Sequence, residues 1–155
     1  MPIGTSRAST AAGTTLSVSA AEPATYDAAG FAALTWTEIG EVTSIGGSGK
    51  TYQIVTHQPL ATRNTFKRKG SYDNGDIAIG MAVGVGDPGQ DILEDALESD
   101  ESFYFRIEEP TGRIRYIPGQ VSQLTDDDIG STDTILTQTV QIAIDGDILK
   151  VVPAP

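Results

Sequence analysis

Few residues in this chain could carry covalent or acid–base chemistry, and each lacks the company such chemistry needs. His57 is the only histidine. It could act as a lone general base for a serine or threonine, but no acid nearby in sequence orients it, and multi-histidine metal sites are ruled out. A hydrogen-bonded or solvated structural histidine is the plainer reading. With no cysteine, there is no thiol nucleophile, no disulfide framework and no cysteine-ligated zinc or iron–sulfur site. Gly49-Lys50-Thr51 has the ending of a phosphate-cradling loop, but Ser44 stands where its first glycine belongs. The residues that follow alternate like a strand and open no helix to face phosphate, so a connecting loop is the better reading. Asp126-Asp127-Asp128 could ligate calcium, yet it lacks the spaced oxygens and the glycine of a helix-loop-helix site. Twenty-one acids are present, and no spacing selects a pair for glycoside hydrolysis. The chain reads as a non-enzyme with no cofactor and no metal.

The one concentration of chemistry is electrostatic. Arg63, Lys67, Arg68 and Lys69 are four of ten basic residues, within seven positions of a chain whose formal net charge is −11. Three readings are open: a solvated loop, a nucleic-acid patch using Phe66 and Tyr72 for base stacking, or a contact with acidic surface on another copy. The net charge opposes nucleic acid beyond a Debye length of roughly 8 Å from the patch. A protein contact is therefore favoured, and Asp91, Glu94, Asp95, Glu98, Asp126, Asp127 and Asp128 are the candidate acidic surface.

These residues must be positioned by one domain. At 155 residues the chain can bury roughly 68–70% of its unfolded surface. Seventeen glycines and eight prolines, with many Thr and Ser, favour strands and turns over helices. No apolar run approaches the ~20 residues that cross a bilayer, and Met1–Thr15 lacks the apolar centre of a signal peptide. No membrane role is expected.

Along the chain, residues 1–12 read as a flexible arm and 14–19 as a short strand. Residues 20–33 read as a connection. Residues 34–45 and 51–56 read as a hairpin closed by Gly46-Gly47-Ser48-Gly49. From 57 to 74 periodicity disappears, which predicts a long loop. Ile77, Ile79, Met81, Val83 and Val85 share one face of a strand. Asp87-Pro88-Gly89-Gln90 starts a helix, with Asp87 as N-cap, Pro88 at the first position and Gln90 placed to close a capping box. Ile92, Leu93, Ala96 and Leu97 form its apolar stripe. Phe103–Ile107 and Ile114–Tyr116 alternate as a second hairpin. A two-residue turn at Pro110-Thr111 would set Arg106 opposite Arg115, a like-charge pair for which a partner could supply the acid. Pro118-Gly119 predicts a kink, and a last strand places Leu136, Val140, Ile142 and Ile144 on one face. The sum is mainly β, about seven strands flanked by one α-helix.

Several segments together resemble the major tail tube proteins of long-tailed, siphovirus-type bacteriophages. They are Gly13-Thr14-Thr15-Leu16, Trp36 before a strand, Gly86-Asp87-Pro88-Gly89-Gln90-Asp91 leading an acidic helix, Phe103-Tyr104-Phe105-Arg106-Ile107, Gly112-Arg113-Ile114-Arg115-Tyr116, and a Thr-rich closing strand. The likeness covers most of residues 13–145. It implies a β-sandwich or barrel with one helix, a single tail tube domain over 1–155, and hexameric rings stacked into a hollow tube that conducts DNA from capsid to host. It also implies an electronegative lumen, and inter-ring contacts from the arm 1–12, the loop 57–74 and a C-terminal arm 146–155. Partners would be other copies of itself and tail tip, tape measure and tail terminator proteins, with DNA passing unbound. The location would be the virion tail, assembled in the host cytoplasm. Alternatives are the inner tube of a contractile tail or secretion system, and a monomeric extracellular β-sandwich binding module.

Overall fold

In a computed structural model, which describes residues 8–153, the chain is mainly β, with ten strands and two helices. In chain order they are β1 (Thr15–Ser19), α1 (Ala28–Ala32), β2 (Thr37–Glu38), β3 (Val42–Ile45), β4 (Thr51–His57), β5 (Phe66–Asp73), β6 (Asp76–Ala82), α2 (Pro88–Glu98), β7 (Phe103–Glu108), β8 (Ile114–Asp126), β9 (Thr137–Ile144) and β10 (Leu149–Val151). Eight strands form one sheet, in the order β2-β1-β7-β8-β9-β6-β3 with β10 also on β8, while β4 and β5 pair only with each other.

Alternation works where one face of a strand is buried. Ile77, Ile79 and Met81 of β6, Phe105 and Ile107 of β7, and Val140 and Ile142 of β9 all point inward and are essentially fully buried. They form one cluster with Leu16 and Val18 of β1 and with Leu93 and Ala96 of α2. Val83 and Val85 fall beyond the end of β6 and are exposed. The opposite side of β7 and β8 carries a second, aromatic packing layer. There Phe31 of α1 stacks on Tyr116 at 4.7 Å between centroids, and Trp36 lies 5.7 Å from the same ring. Helix α1 lies within the predicted 20–33 connection. It is capped by Asp27, which accepts from Gly30 N at 2.7 Å, and at five residues it is too short to display a 3.6 period.

The first predicted hairpin does not form. β3 pairs with β6, with Val42 opposite Met81 and Ile45 opposite Ile79, because Val42 and Ile45 pack against the core and β4 has no buried face to offer. The glycine-rich 46–49 segment carries the chain off the sheet. The predicted loop 57–74 likewise holds β5, whose residues are all exposed. Its run Lys67-Arg68-Lys69-Gly70-Ser71 offers no apolar contrast, unlike the equally exposed β4, where Tyr52 and Ile54 alternate with Thr51 and Gln53.

The second hairpin forms in a different register. Gly112 adopts φ +89°, a left-handed conformation that lengthens the turn beyond two residues. Arg106 consequently faces Tyr116, and Arg115 faces Ile107, so the like-charge pair is absent. β8 runs through Pro118 without a break. The Pro118 carbonyl accepts from Asp145 N at 3.0 Å, so the missing N–H lies on that same side of the strand, away from the β7 ladder. The predicted C-terminal arm 146–155 contains β10, paired with Ile114–Tyr116. Of the predicted arm 1–12, residues 1–7 lie outside the described residues.

Candidate functional site

The basic cluster sits on the β4–β5 hairpin, and the pleat divides it. Tyr52 faces Tyr72, Ile54 faces Lys69, Val55 faces Arg68 and Thr56 faces Lys67. Since successive residues point to opposite faces, Lys67 and Lys69 share a face with Ile54 and Tyr52, while Arg68 shares the other with Val55 and Phe66. Arg63 lies in the connection between the strands. His57 is the last residue of β4, opposite Phe66, and is exposed, not the start of a loop.

Lys50 joins the Lys67/Lys69 face. Its Nζ lies 4.1 Å from the Tyr72 ring centroid, and Lys69 Nζ lies 4.8 Å from that of Tyr52. Lys50 also pairs with Asp147 at 3.3 Å. That bond holds the lysine above its usual pKa and the Asp147 carboxyl below the carboxylate range, with a smaller contribution from the Tyr72 hydroxyl. Asn74 Nδ2 donates to Gly146 O at 2.6 Å, so both ends of the hairpin are tied to the turn before β10. The sequence marks Lys50 only as part of a phosphate-loop-like triplet and Tyr72 only as a stacking residue, and it does not single out Tyr52; their positions at the base of the two strands are the signal that groups them.

The acidic candidates are sorted by α2. Asp87 caps the helix, accepting from Gly89 N at 2.9 Å and Gln90 N at 3.1 Å, and its other oxygen accepts from Gly40 N at 2.9 Å. Gln90 does not close a capping box. It is 5% exposed and bonds outward: Nε2 donates to Gly40 O (3.1 Å) and Ala82 O (2.9 Å), and Oε1 accepts from Gly84 N (3.0 Å) and Gln138 Nε2 (3.0 Å). Gly89 is required here, because a Cβ would fall 2.7 Å from Ile39 Cα. Pinned this way, α2 buries Leu93 and Ala96 and turns its acids outward.

Glu94, Asp95 and Glu98 line a groove of about 440 Å³ together with Leu97, Leu124, Asp126 and Gln138. The groove thus gathers four carboxylates over two leucines. Asp91 and Asp128 do not line it. Asp127 is occupied by Thr137 and Thr139, whose hydroxyls donate to it at 2.7 and 3.1 Å.

A second cavity of about 390 Å³ lies between β3 and the β7–β8 turn, with Arg115 and Glu109 in its wall. Arg113 donates twice to Glu109, at 2.6 and 3.0 Å, and this bond, aided by Arg115, holds the Glu109 carboxyl below its usual range. Arg106 lies over the Trp36 ring, 5.2 Å from its centroid. Among the described residues no group of three or more His, Cys, Asp or Glu could hold a metal, and no helix is long and apolar enough to cross a membrane.

No family model and no curated protein matches this sequence. Solved structures do match by fold. One is a chain of the anti-feeding prophage baseplate, six-fold symmetrised, at a TM-score of 0.67 and 8% identity, covering 97% of this chain and 98% of that one. A chain of the SPP1 tail tube aligns at 0.65 and 12% identity over 92% and 78% of the two chains. A chain from the tail of an empty gene transfer agent particle aligns at 0.61 and 11% identity over 88% and 95%. At these identities the likeness establishes the fold, which is that of tail-tube-like proteins.

Proposed function

We propose that this chain is a structural subunit of a tail tube, in which six copies close into a ring and rings stack into a hollow conduit for DNA. The observation that carries the reading is a hairpin without a core of its own, rich in Lys and Arg, projecting from an acidic body of tail-tube-like fold. Ring closure would use the open sheet edges β2 and β3, whose unpaired backbone groups are templates for a neighbouring strand. Arg63, Lys67, Arg68 and Lys69 would meet acids on the adjacent ring. The remaining acids would keep phosphates from adhering, so that DNA slides through without sequence-specific binding. No catalytic step is required. Tail tip, tape measure and terminator proteins would bound the tube, which would assemble in the host cytoplasm and reside in the virion tail.

Electron microscopy of concentrated protein, alone and with a tail-tip nucleator, tests this reading. Six-fold rings or tubes are expected, and monodisperse monomers under both conditions would refute it. Chains of an extracellular contractile injection system also share the fold, which supports a second reading as the inner tube of a contractile apparatus. Capture of a sheath protein separates the two.

A further inference from the structure

We infer that the hairpin face bearing Lys50, Lys67 and Lys69 docks into the groove between α2 and β8 of a second copy. The inference rests on the tube reading for the meeting of two copies, and it names which surfaces meet. Residues 50–69 contain five of the ten basic residues and none of the twenty-one acids. The four groove carboxylates have no ion-pair partner among the described residues.

Spacing agrees as well as sign. Lys67 and Lys69 are two strand residues apart, about 6.6 Å, and Glu94 and Glu98 are one helical turn apart, about 6 Å. Opposite Lys69 stands Ile54, 55% exposed, matched by the two leucines that line the groove. The Tyr52 and Tyr72 rings restrain two of the ammonium groups before docking, which lowers the entropy lost on contact. Arg68 points from the opposite face, so it takes no part in this groove and would meet acids elsewhere on the adjacent ring. Because hairpin and groove are different patches, the contact runs head to tail and propagates.

Reversing charge on each side in the full chain tests the pairing. K67E/K69E and E94K/E98K are each expected to raise the concentration needed for assembly at least about tenfold, and the four-fold variant to recover most of it. E94Q/E98Q, which keeps the helix, is expected to weaken assembly by a smaller factor. R68E combined with E94K/E98K is expected to give no recovery. A generic net-charge effect makes the opposite forecast, since E94K/E98K takes the chain from −11 to −7 and would promote association. Folding of each variant is checked by circular dichroism. Unimpaired assembly of folded E94K/E98K overturns the groove while leaving the tube reading standing, whereas failure of the unmodified chain to assemble overturns both.

Discussion

Replacing Gln90 with leucine keeps the volume and removes four hydrogen bonds at once. Gly84 N–H, the Gly40 and Ala82 carbonyls and the Gln138 side-chain amide all lose their partner. A buried polar group left unpaired costs about 1–3 kcal/mol. Gly40, Ala82 and Gly84 are only half-buried and recover part of their loss through water, whereas Gln138 is 6% exposed and does not. The net cost is then about 3–5 kcal/mol, which at roughly 2–4 °C per kcal/mol for a domain of this size lowers Tm by about 6–20 °C.

Glutamate at the same position preserves the shape and makes the cost depend on pH. One oxygen still accepts, but the other confronts the Gly40 and Ala82 carbonyls. The folded state therefore raises that carboxyl's pKa; in acid the single O–H can serve only one of the two carbonyls, and the further penalty for ionisation grows as pH rises above the ordinary carboxylate range. Thermal unfolding by circular dichroism at pH 7 and pH 4 reads both effects. A Q90L midpoint within about 2 °C of the parent, or a Q90E penalty that does not shrink in acid, would refute the reasoning.

Gly89→Ala is expected to lower Tm although alanine is the better helix former by about 1 kcal/mol, because its Cβ meets Ile39 Cα and lifts α2 off the β2–β3 connection; a rise in Tm would exclude that contact. Tyr26, whose hydroxyl donates to Asp147 O and whose pKa burial pushes up to about 12, is expected to titrate above the ordinary tyrosine range in ultraviolet absorbance. Its stabilising contribution is full below the ordinary tyrosine value and is lost as pH climbs to the raised one; a Y26F titration identical to the parent's would refute the assignment. For Arg113→Gln, the pairing with Glu109 contributes above the unfolded carboxylate pKa and fades as pH falls through the lowered folded value. The Tm difference from the parent is therefore expected at pH 7 and absent near pH 2, and a difference that persists in acid means the arginine acts by packing.

Most of the fold visible in the sequence lies where one side of an element is dry; β4 is visible although wet on both faces, because Tyr52 and Ile54 alternate with Thr51 and Gln53. β6, β7 and β9 announce themselves by alternation, and α2 by Asp87-Pro88 and its Leu93/Ala96 stripe. β5 shows no pattern because Lys67-Arg68-Lys69-Gly70-Ser71 has no apolar side chain to alternate, and α1 because five residues cannot show a helical period. The shift that separates Arg106 from Arg115 depended on one dihedral at Gly112, which no pattern of side chains records. For the site, sequence distance showed the charge cluster but not its division, since Lys67, Arg68 and Lys69 are neighbours in the chain and opponents across a pleat. Lys50 was hidden behind a phosphate-loop resemblance, and Asp126 joined Glu94 and Glu98 only through the packing of α2 beside β8.

The β4–β5 hairpin has a thermodynamic consequence for the chain as a whole. It is bonded across its own ladder and tied to the body at its base, yet contributes no residue to the central core. A two-stranded sheet of this kind is marginal in water when alone, so it forms a separate cooperative unit that opens while the body remains closed. Its amides would exchange with solvent hydrogen ahead of those of β6 and β9. Residues along it are consequently free to change without drawing on the stability of the core, which leaves the identity of whatever it touches adjustable independently of the fold that holds it.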